Sequence, residues 1–145
     1  MDSLVTVNLI LLAVDSASHG VSFMASLKNS CLRNPVYLVR SAAEAIRYLD
    51  GKKPFADRKI FPLPSILVVD LDLPRKKAWR LLKWVRARAK LDPLLIVMLN
   101  GSSPVSDLNR AYQMGANSFL EKPCLAEDLV RLAAVFPHYW DESSN

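Results

Sequence analysis

Short continuous apolar runs alternate along the chain with longer stretches in which apolar residues recur at helical spacing. The clearest run covers residues 66–69, four aliphatic residues that end on Asp70. A run of this kind is typical of a strand buried on both faces, as in a parallel sheet covered by helices. Similar runs predict four more strands, at residues 5–14, 36–39, 94–99 and 117–120.

The stretches between these runs predict five helices, because their apolar residues fall on one side of a helix. Ser41 and Glu44 have the spacing of a capping box at the start of helix two, and Gly51 is expected to end that helix. Ser103 is the expected N-cap of helix four, with Pro104 at its first position. The other helices are marked by residues 18–32 for helix one, by Ala78, Leu81, Leu82, Val85 and Ala89 for helix three, and by Leu129, Leu132, Ala133 and Phe136 for helix five.

Five alternating strand–helix units predict an α/β fold, a doubly wound parallel sheet of five strands with helices on both faces. The chain has 145 residues, of which 51% are hydrophobic. We therefore expect one domain over residues 1–140 and a polar tail over residues 141–145. The N terminus lacks the basic segment of a signal peptide, and no apolar stretch is long enough to cross a bilayer. A cytoplasmic protein without a membrane partner is expected.

Basic residues are concentrated in one segment of a chain whose net charge is +5. No acid lies between Asp72 and Asp92. This interval is either the solvated face of helix three or a surface for an anionic partner. Trp84 lies among the basic residues and is either an exposed contact anchor or covered by a neighbouring loop. The eight basic residues are Arg75, Lys76, Lys77, Arg80, Lys83, Arg86, Arg88 and Lys90.

Charged residues follow the predicted strands at the points where these strands end. Asp15 follows strand one, Asp70 ends strand three, and Lys122 comes shortly after strand five. Ligands bind open parallel sheets at the carboxyl ends of the strands. Two carboxylates and one ammonium are therefore expected at one edge, where they can hold a metal ion and a phosphoryl group. His19 and His138 are expected at the protein surface rather than as ligands.

The order of elements, together with these residues, resembles the receiver domain of two-component response regulators, which has a flavodoxin-like (βα)5 fold. The likeness rests on Asp15, on Asp70-Leu71-Asp72-Leu73-Pro74 and on Lys122-Pro123. Other features are similar to stand-alone receivers that partner bacterial phytochrome-type histidine kinases. They are the long loop before strand three, the aromatic ending, and the runs Ser102-Ser103-Pro104, Arg110-Ala111-Tyr112 and Gly115-Ala116-Asn117.

The resemblance implies a role for each matching residue. Asp70 is the expected phosphoacceptor, whose carboxylate attacks a phosphoryl group donated by a sensor histidine kinase. The side chains of Asp15 and Asp70 and the backbone carbonyl of Asp72 are the expected ligands of Mg²⁺, which neutralises charge during the transfer. Lys122 is expected to pair with the phosphoryl oxygens, and Pro123 to follow a cis peptide bond.

The chain also departs from the pattern of the family. Receivers normally carry two adjacent acids after strand one, and here Ser16 follows Asp15, so that Mg²⁺ binding is expected to be weak or absent. Asn100 stands where the family has a switch hydroxyl, and Phe119 occupies the position of the switch aromatic. The pair Lys77-Ala78 replaces the usual acid and glycine before helix three.

These matches and departures predict a stand-alone, atypical response regulator, a signalling protein and not an enzyme. Such a receiver either accepts a phosphoryl group on Asp70 inefficiently or acts as a pseudo-receiver adaptor through protein contact alone. The competing class is a polyanion or nucleic-acid binder that uses the basic face of helix three, although nucleic acid is not the expected partner. The expected partners are a sensor histidine kinase or another signalling protein, and a second copy bound through helix four, strand five and helix five.

Overall fold

The computed structural model describes residues 8–142, which contain one parallel sheet of five strands with helices on both faces. The order of the strands in the sheet is β2-β1-β3-β4-β5, as expected of a doubly wound fold. The strands are β1 (Ile10–Ala13), β2 (Val36–Val39), β3 (Ile66–Asp70), β4 (Leu95–Asn100) and β5 (Ser118–Glu121). The helices are α1 (Ala17–Lys28), α2 (Ala42–Asp50), α3 (Lys77–Arg86), α4 (Val105–Gln113) and α5 (Ala126–Val135), with short 3₁₀ turns at Pro74–Lys76, Ala89–Leu91 and Pro137–Tyr139.

The predicted fold class is confirmed, and the strand bounds agree closely with the apolar runs. The second strand has the predicted bounds, and β4 and β5 each start and end one residue later than predicted. The first strand is shorter than predicted, with Leu9 and Val14 buried on either side of it. Residues 5–7 of the predicted strand lie outside the described residues.

Helix one ends four residues earlier than predicted, at Lys28. The hydroxyl of Ser30 donates to the Leu27 carbonyl and accepts the Leu32 N–H, so side-chain bonds replace the next turn of the helix. The backbone N–H of Asn29, at the C-cap, still bonds back to Ala25.

Helix two is capped as its sequence predicts. The Ser41 hydroxyl accepts the Glu44 N–H at 3.0 Å, and Gly51 follows the helix with φ +68°. The Glu44 carboxylate returns to the N–H of Arg40, one residue before the position that a capping box uses.

Two further predicted helix ends are wrong. Helix four has Pro104 rather than Ser103 as its N-cap, because the N–H of Ser103 turns back to the side chain of Asn100. Helix three ends at Arg86, and Ala89 is exposed rather than on the buried stripe. Its chain bends there because the Arg86 guanidinium bonds the carbonyls of the segment that follows.

The sheet separates two apolar layers, since neighbouring residues of each strand face opposite sides. One layer lies between the sheet and helices α2, α3 and α4, and it includes Leu11, Leu67 and Val69. The other lies under α1 and α5 and includes Leu12 and Val68. Each fully buried aliphatic side chain stabilises the fold by about 2 kcal/mol, so both layers hold the strands in fixed register.

The register decides which residues meet at the carboxyl edge. Ala13 pairs with Val69 in the parallel ladder, so Val14 lies beside Asp70 one step further along. Asn100 ends β4, and Lys122 follows β5 directly. None of the helices in the part of the chain that the structure describes combines the length and apolarity needed to cross a membrane.

The C-terminal residues of the described range remain bound to the domain. Trp140 is buried, and the carbonyl of Asp141 accepts the N–H of Arg33. Glu142 pairs with Leu32 in an isolated bridge. Contact with the domain thus extends two residues beyond the predicted boundary at residue 140, and residues 143–145 lie outside the described part.

Candidate functional site

A buried carboxylate paired with an ammonium forms the centre of the carboxyl edge. Asp70 is fully buried at the end of β3, and its two oxygens lie 2.9 and 3.0 Å from the Lys122 Nζ. The same ammonium lies 3.0 Å from an oxygen of Asp72. The N–H of Asp72 donates to Asp70 Oδ1 at 2.8 Å. The sequence prediction that strands three and five deliver an acid and a lysine to one point therefore agrees with this geometry.

Opposing effects act on the pKa of Lys122. Burial alone would lower the pKa of its ammonium. The hydrogen bonds to Asp70 and Asp72, and the charges of these two carboxylates, outweigh burial and raise that pKa above its usual value. The lysine is therefore a permanent cation at physiological pH, suited to binding an anionic group beside Asp70.

Gly101 allows the loop after β4 to approach this cluster. A Cβ atom at this position would lie 2.5 Å from the Asp72 carboxylate and 3.2 Å from the Lys122 side chain. The backbone N–H of Lys122 donates to the Asn100 carbonyl at 2.8 Å, and a cis peptide bond joins Lys122 to Pro123. Sequence reasoning missed Gly101, because its role follows from an approach between two loops that are distant in sequence.

Asp15 lies at the same edge but outside this cluster of contacts. The residue is exposed, and its carbonyl accepts two hydrogen bonds from the Arg40 guanidinium, at 3.0 and 3.3 Å. Within residues 8–142 its carboxylate forms no ion pair, and no three side chains of the metal-binding types lie together as a ligand group. The expected metal ligands Asp15, Asp70 and Asp72 nevertheless offer only oxygen atoms, the donors that Mg²⁺ prefers.

Asn100 is buried and held from two sides. Its Nδ2 donates to both oxygens of Glu121, at 3.1 and 3.2 Å, and its Oδ1 accepts the N–H of Ser103 at 3.1 Å. Phe119 is half-buried, and its ring meets the ring of Tyr112 edge-on at 4.8 Å. The side chain at the predicted switch position is thus hydrogen-bonded to Glu121 of β5. The sequence did not predict this contact.

His19 joins the cluster, although the sequence places it only at the surface. Its side chain is 44% exposed, yet its Nδ1 lies 3.2 Å from Asp70 Oδ2 and 3.4 Å from Lys122 Nζ. It reaches these atoms from the first turns of α1, which begins directly after the β1–α1 loop. Its nearness to the carboxyl end of β1 is the one sequence signal that could have identified it.

The basic segment of helix three is less uniform than the sequence predicts. The Arg86 guanidinium bonds four backbone carbonyls and the side chain of Asn117, so it is a structural residue rather than part of a solvated face. Burial lowers the pKa of this guanidinium, against the opposing effects of nearby Asp92 and Tyr139. Trp84 is half-buried against the core, and the guanidinium of Arg88 lies 3.7 Å above its ring. The ring is thus covered by an arginine and is not a freely exposed anchor.

Comparisons with known proteins agree with this fold. Residues 10–134 match the protein family described as "Response regulator receiver domain". The chain is similar to the probable methanogenesis regulatory protein FilR2 of Methanothrix harundinacea, with 28% identity over 91% of this chain and 83% of that protein. It is also similar to the response regulator Rcp1 of Synechocystis, with 24% identity over 92% of this chain and 89% of that protein.

Solved structures show the same likeness. The bacteriophytochrome response regulator RtBRR superposes with a TM-score of 0.82 at 28% identity, covering 97% of this chain and 84% of that one. The Mn²⁺-bound form of Rcp1 superposes with a TM-score of 0.71 at 23% identity, covering 89% of this chain and 91% of that one.

Proposed function

The chain belongs to the response regulator receiver domain family, and from this we propose that it accepts a phosphoryl group on Asp70 from a sensor histidine kinase and signals through protein contact. Proteins of this family are components of two-component signal transduction. The observation that carries the proposal is the buried Asp70 carboxylate with Lys122 Nζ at 2.9 and 3.0 Å from its oxygens. A lone buried carboxylate is costly, and a paired one beside a cation is suited to reaction with an anionic phosphoryl group.

The proposed transfer uses the carboxylate as a nucleophile. An oxygen of Asp70 attacks the phosphorus, and a bond between this oxygen and phosphorus forms as the bond between phosphorus and the donor's imidazole nitrogen breaks. The imidazole leaves with the electron pair and is protonated from solvent. Lys122 balances the negative charge on the phosphoryl oxygens throughout, because its ammonium already lies within 3.0 Å of the reacting carboxylate.

Receiver domains bind Mg²⁺, and we propose that Asp15, Asp70 and the carbonyl of Asp72 hold it here. The metal supplies positive charge against the phosphoryl oxygens. Because β1 ends at Ala13, the two residues directly after the strand are Val14 and Asp15. Counted from the end of β1, Val14 takes the place of the first of the family's two acids. Asp15 keeps the place of the second, which is the usual direct ligand. Ser16 is then the N-cap of α1 rather than a replaced ligand, so we attribute any weakness of metal binding to Val14.

We expect slow phosphotransfer, because the side chain of Asn100 at the switch position already forms hydrogen bonds with other residues. Asn100 would have to break its contacts with Glu121 and Ser103 to reach the Asp70 carboxylate. Each broken hydrogen bond costs about 1 kcal/mol. Phe119 contributes no hydroxyl. A pseudo-receiver adaptor is the alternative that the same features allow.

Intact mass measured after incubation with a small-molecule phosphodonor and Mg²⁺ tests the proposal. The expected result is a gain of one phosphoryl group that disappears with a chelator and in Asp70→Asn. Asp107→Asn is the matched control, since Asp107 lies on α4 away from the cluster and the variant should be phosphorylated like the wild type. No gain in mass at high Mg²⁺ would favour the pseudo-receiver adaptor. A gain retained in Asp70→Asn would show that another residue accepts the phosphoryl group.

The surface of α4, β5 and α5 is our proposed contact surface for a partner or a second copy. Val105 and Tyr112 on α4 and Val135 on α5 are large apolar residues with 70%, 51% and 68% of their surface exposed. Apolar side chains exposed to this extent on neighbouring elements favour a protein contact.

A polyanion-binding function is the second candidate, favoured by unpaired cations on α3 and on the turn before it. Arg80 and Lys83 lie one turn apart on α3, and Lys76 lies in the turn directly before this helix. All three are exposed and form no ion pair within the described residues. With three phosphate contacts, the dissociation constant for a short duplex DNA should rise about fortyfold between 50 and 200 mM salt. The triple variant with glutamate at these positions should lose this binding. A dissociation constant insensitive to salt, or unchanged in the variant, rules the candidate out.

A further inference from the structure

The Asp70 carboxylate receives two side-chain contacts, and the proposed function uses only the one from Lys122. Oδ1 accepts the backbone N–H of Asp72 at 2.8 Å and lies 2.9 Å from Lys122 Nζ. Oδ2 lies 3.0 Å from Lys122 Nζ and 3.2 Å from the Nδ1 of His19. His19 therefore contacts the oxygen that receives no backbone donor among the described residues.

The neighbours of His19 decide which way its hydrogen bond runs. Lys122 can only donate hydrogen bonds, and oxygens of Asp70 and Asp72 already accept from it. The carboxylate of Asp70 can only accept. Since these oxygens already accept from the ammonium, its 3.4 Å contact with Nδ1 does not need the lone pair of that nitrogen. We therefore assign the hydrogen to Nδ1, which donates it to Asp70 Oδ2. His19 thus presents an N–H donor to the reacting group.

On the β4 side of the site, the side chain at the switch position is not a free donor. The amide of Asn100 is buried, and both of its ends are bonded, to Glu121 and to Ser103. Turning this amide toward Asp70 would leave the N–H of Ser103 without its partner. His19 can contact a phosphoryl group on Asp70 without breaking a bond of this kind. Its side chain is 44% exposed and is free to adjust its position.

A pocket lies beside the histidine. His19 and Lys122 line a pocket of about 300 Å³ together with Ser22, Phe23 and Leu99. Asp70 does not line this pocket, so the two donors lie between the carboxylate and the open volume.

We propose that His19 binds the phosphoryl group of phosphorylated Asp70 by donating its Nδ1–H to a phosphoryl oxygen. This inference rests on the proposed function. The bond stabilises the acyl phosphate against hydrolysis, in which water attacks phosphorus and the bond from phosphorus to the Asp70 oxygen breaks. The electron pair of that bond returns to the carboxylate, inorganic phosphate leaves and a proton passes to solvent. His19 therefore takes the place of the hydroxyl donor that the sequence lacks at Asn100.

Binding of beryllofluoride in the presence of Mg²⁺ tests the contact without requiring turnover, because this ion mimics a phosphoryl group on a carboxylate. Titration calorimetry of His19→Leu should show a dissociation constant at least about tenfold higher than that of the wild type, the lower end of the effect of one lost hydrogen bond to a charged group. His19→Asn should stay within about twofold, since its Nδ2 can replace the imidazole Nδ1–H as a donor. The acyl phosphate should hydrolyse several-fold faster in His19→Leu and not in His19→Asn.

His138→Leu is the matched control, the same chemical change at an exposed histidine of the last 3₁₀ turn. It should bind beryllofluoride like the wild type, and the thermal midpoints of all variants are compared to detect unfolding. Wild-type affinity in His19→Leu, or equal weakening in His19→Leu and His19→Asn, overturns the role of His19. If the wild type itself neither binds beryllofluoride nor gains a phosphoryl group, the proposed function fails first and the inference falls with it.

Discussion

Lys122→Met is expected to lower the free energy of unfolding by about 2–3 kcal/mol at neutral pH and to prevent stable phosphorylation of Asp70. Methionine keeps most of the length of the lysine stem but removes the ammonium, so Asp70 stays buried with only the Asp72 N–H and His19 as donors. The effect is smaller than for a fully buried pair, because the Asp72 side chain is 43% exposed and partly screened by water. Urea unfolding followed by circular dichroism measures the change.

The stabilising effect of Lys122 should depend on pH in one direction. Its pKa is raised in the folded protein above the usual 10.5. A raised pKa means that the contribution is fully present below pH 10.5 and is lost as the pH rises through the higher, folded value. The difference in stability between the wild type and Lys122→Met should therefore be constant from pH 7 to about pH 10 and decrease above it.

A double-mutant cycle with Asp70→Asn separates the pair from the lysine alone. In the Asp70→Asn background, Lys122→Met should lower the free energy of unfolding by less than half as much as it does in the wild type. The reason is that no buried charge is left without a partner. Lys83→Met, at an exposed position of α3, should change stability by less than about 0.5 kcal/mol. An equal cost of Lys122→Met in both backgrounds would contradict the pairing.

The meeting of Asp70 and Lys122 could be predicted from the sequence because it depends on few assumptions. A run of four aliphatic residues identifies a central strand, and alternation with helices makes the sheet parallel. The carboxyl ends of parallel strands lie at one edge. Any acid and lysine directly after such strands are then close, whatever the details of the loops. The cap of helix two could be predicted for the same reason, since Ser41, Glu44 and Gly51 act within one local segment.

The contacts that the sequence did not predict depend on how separate loops meet. A side chain at Gly101 would crowd those of Asp72 and Lys122, which are more than twenty residues away on either side. His19 belongs to a helix whose first turn is exposed, and only the rotation of this helix brings its ring to Asp70. The role of Arg86 could not be predicted for the same reason. In the sequence it is one of eight cations in a basic segment, whereas its hydrogen-bond partners come from two separate loops.

Arg86→Met is expected to lower the free energy of unfolding by about 2–3 kcal/mol. The guanidinium donates to the carbonyl of Gly115 at 3.0 and 3.1 Å and to the carbonyls of Leu91 and Leu94 at 3.2 and 3.0 Å. The thioether donates to none of these, so partly buried carbonyls in the loops before β4 and β5 lose their partners. For a chain of this size the thermal midpoint should fall by several degrees, about 3 °C for each kcal/mol.

Arg86→Lys distinguishes a structural role from a charge on the basic surface. Lysine keeps the charge but lacks the planar fork that reaches carbonyls on two loops at once, so it should lose most of the stability that Arg86→Met loses. Arg80→Lys, at an exposed position of the same helix, should leave stability unchanged. If lysine restored wild-type stability at position 86, charge alone would explain the residue. If it does not, Arg86 is a structural residue that orients the loops leading into β4 and β5. These are the strands that end at or directly before Asn100 and Lys122.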